Sequence, residues 1–269
     1  MPTLAQSSPC KSTPSHVLDP HAALGFLEAG LQRIAQLAVT ADLAAPVPGC
    51  PDWTLADVVR HVHRFNVRTA DMVERLSQQP LPFPEIQAPA RAEEYGEWFT
   101  AGAARLLQVL READPEAPMY SYADTPRVSF WIRRALHEVT VHRLDAERAA
   151  HRVEPVDPAV AVDGIDEFLE NLPFLAHRLP ARDLHGDGET IHLHATDLED
   201  GGVVGEWLIT LEPHGYRWSH AHVKGAAAVR GPVADLLLFI YGRKPAADPS
   251  FLTFGDSSLV TYWSTKTVF

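Results

Sequence analysis

The chain has 269 residues, 46% of them hydrophobic and 22% charged. These ordinary globular values exclude wholesale disorder and allow one large or two modest domains. Acids outnumber bases 35 to 23, giving a net charge of −12 with histidine neutral. The excess holds in both halves, 18 to 14 over residues 1–150 and 17 to 9 over residues 151–269, so there is no hidden basic module to neutralise nucleic-acid phosphates.

No run approaches the roughly 20 apolar residues that span a bilayer, and no membrane partner is expected. Residues 1–18 lack a basic start followed by an apolar core and read as a flexible tail rather than a secretory signal. A cytoplasmic protein is expected. The two cysteines, Cys10 and Cys50, cannot make a disulfide framework. Histidine is abundant, with 14 residues, which raises the question of a metal.

Four helical segments fill the first half. Asp19-Pro20 opens residues 21–42, where Leu24, Leu27, Leu31, Ile34 and Leu37 recur at spacings of three and four. After the loop APVPGCPDW, Thr54 and Asp57 have capping-box spacing at the head of the second helix. The prolines of QQPLPFPEIQAPA separate it from a third helix over 91–113, striped by Tyr95, Phe99, Ala103, Leu106 and Leu110. A fourth runs over roughly 129–150. The texture changes at HRVEPVD, residues 151–157, and a domain boundary is placed there. It leaves a tail (1–18), a helical unit (19–152) and a C-terminal unit (153–269).

The second unit opens with a helix from Asp157 to about Arg178, then alternates like strands. In ETIHLHAT, Ile191 and Leu193 share one face, His192 and His194 the other. EWLITLE, YRWSHAHV and AAAVRG are further strands, with turns at HGDG, EDGG and EPHG. PVADLLLFIYGR is an apolar helix ended by Gly242, and SSLVTYWST is also helical. This half is α+β.

Three residues carry the candidate chemistry. Glu138 and His142, four apart, leave one face of the fourth helix. His61 falls three after Val58 and four before Phe65, on the core-facing side of the second. Facing helices build metal sites in this way. Two imidazoles and a carboxylate suit zinc, with a fourth position left for water or substrate. A satisfied core histidine and a surface Glu–His pair explain the same spacings, so both readings stay open. His63 lies roughly 200° around the helix from His61, on the solvated side. His137 and His142 are five apart, whereas the zincin motif needs four, which excludes a metalloprotease of that kind.

The run CPDWTLADVVRHV, residues 50–62, resembles the N-terminal signature of the mycothiol-dependent maleylpyruvate isomerase family. LHEVTVHRLDAE resembles the family's second signature, and VRGPVADLLLFIYGR its smaller α+β domain. The resemblance implies a DinB/YfiT-like four-helix bundle followed by that α+β domain. It also implies a divalent cation, zinc first, on His61, Glu138 and His142, and mycothiol as the thiol. Its chemistry is attack of a thiolate on a small electrophile, ending as isomerisation or as S-transfer. A non-catalytic binding member and a metal-dependent hydrolase are the competing functions.

Asp145, three after His142, either holds that ring's other nitrogen or pairs with Arg148 at the surface. The family's C-terminal arginine near the site matches Arg243 first and Arg230 second. Either can clamp a carboxylate, and helix-end charge compensation explains Arg243 equally well. Trp53 reads as core or as a staple beneath the second helix, and Cys50 as structural. His192 and His194 on one strand, with His220 and His222 on another, form either a second metal patch or exposed strand histidines. Substrate, metal identity and oligomeric state are not legible.

Overall fold

The computed structural model describes residues 18–176, 180–198 and 205–267. Residues 1–17 of the expected tail, the EDGG turn and the last residues of the helix placed to Arg178 lie outside them, while Leu18 packs against the helical core.

Helix α1 (Pro20–Thr40) begins where Asp19 accepts the backbone N–H groups of His21 and Ala22. Helix α2 (Leu55–Glu74) begins with the reciprocal Thr54–Asp57 capping box. A 3-10 turn over Ala92–Glu94 leads into α3 (Tyr95–Glu112), and α4 spans Val128–Ala149. Helix α1 packs on α3 and α4, and α2 packs on the same two. The shared core takes Leu27, Leu31 and Ile34 from α1, Val58 and Val62 from α2, Phe99 and Leu106 from α3, and Trp131 and Leu136 from α4. The periodic stripes are therefore the buried faces.

The second unit starts with α5 (Pro158–Leu175), capped by Asp157 with proline in its first turn. Strands β1 (Thr190–Ala195), β2 (Glu206–Glu212), β3 (Gly215–His220), β4 (Ala227–Gly231) and β5 (Leu252–Gly255) form one mixed sheet in the order β3-β2-β1-β4-β5. Only the β1–β4 pair is parallel. Helix α6 (Val233–Ile240) joins β4 to β5, and α7 (Ser257–Lys266) follows. Ile191, Leu193, Trp207, Val229, Leu236 and Phe168 lie in a second core. Strand β5 has no alternating pattern because all four of its residues are exposed. No helix among the described residues is long and apolar enough to cross a membrane.

Helix α4 belongs to both cores. Trp131, Leu136 and Val139 face the first, while Val141 and Leu144 face the second. A helix buried on both sides cannot leave its polar side chains to water, so each needs a protein partner. Helix α5 supplies them: Asp163 meets Arg133 and His137, and Glu167 meets Arg134.

At the head of α2, the Thr54 N–H donates to Asp57 Oδ2 at 2.9 Å. Burial works against the Asp57 charge, but hydrogen bonds from Thr54 and the neighbouring Arg60 outweigh it and hold the carboxyl below its ordinary value. A lowered carboxylate adds stability above its unfolded pKa and loses it as pH falls through the folded value. Asp57→Ala is therefore expected to cost about 1 kcal/mol at neutral pH. The gap from the parent should close from about pH 4 downward, as read by denaturant unfolding across that range.

Candidate metal centre and cavity

His61 on α2 and Glu138 and His142 on α4 meet where the two helices face each other. His61 Nε2 lies 2.8 Å from Glu138 Oε1, and His142 Nε2 lies 3.5 Å from the same oxygen. The two rings stand edge to face at 4.6 Å. One donor atom from each residue lies within 4.8 Å of the other two. Tetrahedral zinc with bonds of 2.0–2.1 Å sets its donors about 3.3 Å apart, so the set needs only small adjustments to close on a cation. Trp53 stacks on His142 at 5.9 Å and packs against His61 at 5.1 Å, which makes it a wall of the site as well as a helix neighbour.

Each of the two α4 side chains is held from behind. Asp145 is fully buried, and its Oδ2 lies 3.0 Å from His142 Nδ1. Arg148 instead reaches the backbone carbonyl of Arg243, so the surface Asp145–Arg148 pair does not form. Glu138 Oε2 accepts from Arg134, whose other guanidinium nitrogen donates to both Glu167 oxygens at 2.7 and 2.6 Å. Asn171 and Tyr241 complete the shell around Glu167. Sequence reading missed Arg134, Glu167, Asn171 and Tyr241. Their signal was the four acids, Asp163, Asp166, Glu167 and Glu170, set among the apolar residues of α5.

Electrostatics follow from that packing. Burial alone would keep the His142 ring neutral, but Asp145 and Glu138 outweigh it and raise its pKa to about 9. Burial likewise opposes charge on Glu138, yet His142, His61 and Arg134 hold its carboxyl well below the ordinary range. The pocket therefore favours a positive charge at the point where the three donors meet. Cys50 donates weakly to Asp145 across 3.6 Å. Burial and Asp145 push its thiol up to about 11, which disfavours the nucleophilic thiolate.

The three donors open into a cavity of about 690 Å³. Phe65, Phe83, Trp131 and Phe168 form its apolar walls, and Arg68, Arg134, Asn171 and Arg243 its polar points. Arg243 arrives because Gly242, with φ +71°, ends α6 and folds the chain back. Its Nη2 lies 3.5 Å from Asp145 Oδ2. Gly49 lets the loop before α2 press on this turn: its φ is +85°, and a Cβ there would sit 2.8 Å from the Arg243 carbonyl oxygen. Arg230 lies elsewhere, exposed on β4 with its guanidinium 3.3 Å from His194, and does not line the cavity. His63 is not solvated: α3 covers it, and it is 6% exposed and stacked on Trp98 at 3.8 Å. His137 is buried with Nε2 2.6 Å from Asp163, away from the ligand set.

Two family models match the chain. The mycothiol maleylpyruvate isomerase N-terminal domain covers residues 26–147, and the C-terminal domain of the same family covers 159–261. No curated protein matches. Among solved structures, a mycothiol-dependent maleylpyruvate isomerase aligns with a TM-score of 0.56 at 14% identity, over 90% of this chain and 95% of that one. A histidine-to-alanine mutant of such an isomerase gives 0.55 at 13%, with the same coverage. At that identity the solved structures establish the shared fold, whereas the two models, in order and over most of the chain, establish the lineage. The chain belongs to the mycothiol-dependent maleylpyruvate isomerase family.

Proposed function

We propose that the chain is a divalent-metal-dependent isomerase that uses a low-molecular-weight thiol, mycothiol, and acts on a small electrophile with an activated cis double bond. The observation that carries this reading is the convergence of His61, Glu138 and His142 on the wall of the 690 Å³ cavity. The helical unit is read as a DinB/YfiT-like four-helix bundle, and the two separate cores support a division near residues 152–153.

Nitrogen and oxygen donors in this number fit zinc with an open position. When bound, the cation supplies the charge that favours the thiolate form of a thiol whose free pKa is about 8.5. His61, Glu138 and His142 hold it. Asp145 takes the His142 Nδ1–H and so keeps the Nε2 lone pair turned to the site. Arg134 and Glu167 fix the Glu138 carboxylate, and the apolar walls keep bulk water from the reacting atoms. Arg243 presents its guanidinium to a substrate carboxylate. The sulfur adds to one alkene carbon and leaves a single bond free to rotate. It then departs with its bonding electrons as the trans double bond forms, so thiol is regenerated and no redox partner is needed. The same site supports S-transfer where the sulfur stays attached, and a cavity in the range that houses small-molecule ligands takes either product.

His61→Ala and Glu138→Ala are each expected to hold about one equivalent less zinc than the freshly purified parent, by elemental analysis. Asp145→Asn is expected to weaken metal binding roughly 10- to 100-fold. Turnover is read with mycothiol and a cis-configured conjugated keto acid. Trans product at constant thiol marks the isomerase, and stoichiometric thiol loss marks the S-transferase. A folded protein with neither metal uptake nor any thiol-dependent product would overturn the proposal.

A further inference from the structure

Outside this site, one carboxylate draws in three imidazoles. Residues alternate across a strand, so His192 and His194 of β1 share the face opposite Ile191 and Leu193. Glu206 of β2 stands directly across from His194 in the antiparallel register. Its Oε2 lies 2.8 Å from His192 Nε2, and its Oε1 lies 3.1 Å from His194 Nδ1. His222, just past the end of β3, brings its Nδ1 to 2.7 Å from the same Oε1. The His192 and His194 rings are 5.9 Å apart, and those of His194 and His222 are 6.3 Å apart. His220, two residues earlier, turns away to Asp166, because β3 ends there and strand alternation no longer governs His222.

We propose that His192, His194, Glu206 and His222 form a second cation site on the open face of the sheet, taking zinc or another first-row transition dication. The donor chemistry selects this class: imidazole nitrogens with one carboxylate suit zinc, copper(II) and nickel(II), whereas magnesium and calcium take oxygen-rich sets. The rigidity is present as well. Three donors sit on two hydrogen-bonded strands, and one atom from each of His192, His194 and Glu206 falls within 4.8 Å of the others. The fourth donor, His222, is 85% exposed and free to settle onto an arriving ion. Every ion-pair partner recorded for Glu206 among the described residues is one of these histidines.

Arg230 opposes the site. Its guanidinium Nη2 lies 3.3 Å from His194 Nε2, the nitrogen that must carry the proton once Nδ1 takes a cation. Filling the site therefore displaces this arginine, which gives a readout that ordinary surface histidines would not.

The test is calorimetric titration of the chelator-stripped full chain with zinc in a His61→Ala/His142→Ala background, which silences the first site. One equivalent should remain. Adding His192→Ala and His194→Ala should abolish it. Glu206→Gln and His222→Ala alone should each weaken it by at least about tenfold, while Arg230→Gln should tighten it several-fold. Should the strand variants misfold by circular dichroism, the His222 and Arg230 single substitutions carry the decision. Zinc binding absent from the background variant, weaker than millimolar, or unmoved by these substitutions would overturn the proposal.

Discussion

The pair of Arg134 and Glu167 is the constraint from which the site follows. Arg134 projects from a helix buried on both sides, and desolvating a guanidinium costs several kcal/mol unless a carboxylate meets it in good geometry. Glu167 meets it with both oxygens, and Asn171 and Tyr241 occupy what those oxygens have left. Arg134 keeps one nitrogen for Glu138. Glu138, on α4, is thus oriented by a carboxylate of α5 through the arginine between them. The C-terminal half thus helps to shape the candidate site in addition to flanking it.

The C-terminal half reaches His142, the other α4 member of the candidate set, by a second route. Gly242 turns Arg243 back toward Asp145, and Asp145 holds His142. Glu138 and His142 are therefore each backed by a charged partner that is itself tied to the C-terminal unit. The local field follows: two carboxylates stay ionised in a buried place and the His142 ring is raised to about 9. An environment that raises the His142 ring in this way favours positive charge beside it. Cys50 shares Asp145 but feels the field with the opposite sign, since a thiolate there would be a further anion beside a carboxylate.

Much of this was legible in the sequence because helices report their buried face at fixed spacing. The α1 stripe, the Thr54–Asp57 cap and the i,i+4 pairing of Glu138 with His142 are local patterns, and their residues lie where the patterns put them. What failed were inferences that needed knowledge of neighbours. His63 lies on the flank of α2 that faces water until α3 covers it with Trp98 and Phe99. Arg134 and Glu167 are 33 residues apart and on different helices, so neither reveals its partner. His220 and His222 were read as one strand face, and that inference fails because the strand stops between them.

The two histidine clusters show how one donor chemistry takes different surroundings. The helical set draws its ligands from positions four apart, faces a 690 Å³ cavity, and has a buried carboxylate fixing the tautomer of one ring. The sheet set uses positions two apart, opens to solvent through His222, and has an arginine rather than a carboxylate at the far nitrogen of one ring. A carboxylate behind an imidazole raises its basicity as a ligand, and a guanidinium there lowers it. The first arrangement suits a firmly held ion that works on a bound substrate. The second suits an ion that exchanges with the medium, because His222 lies open to solvent and Arg230 sets a positive charge behind His194.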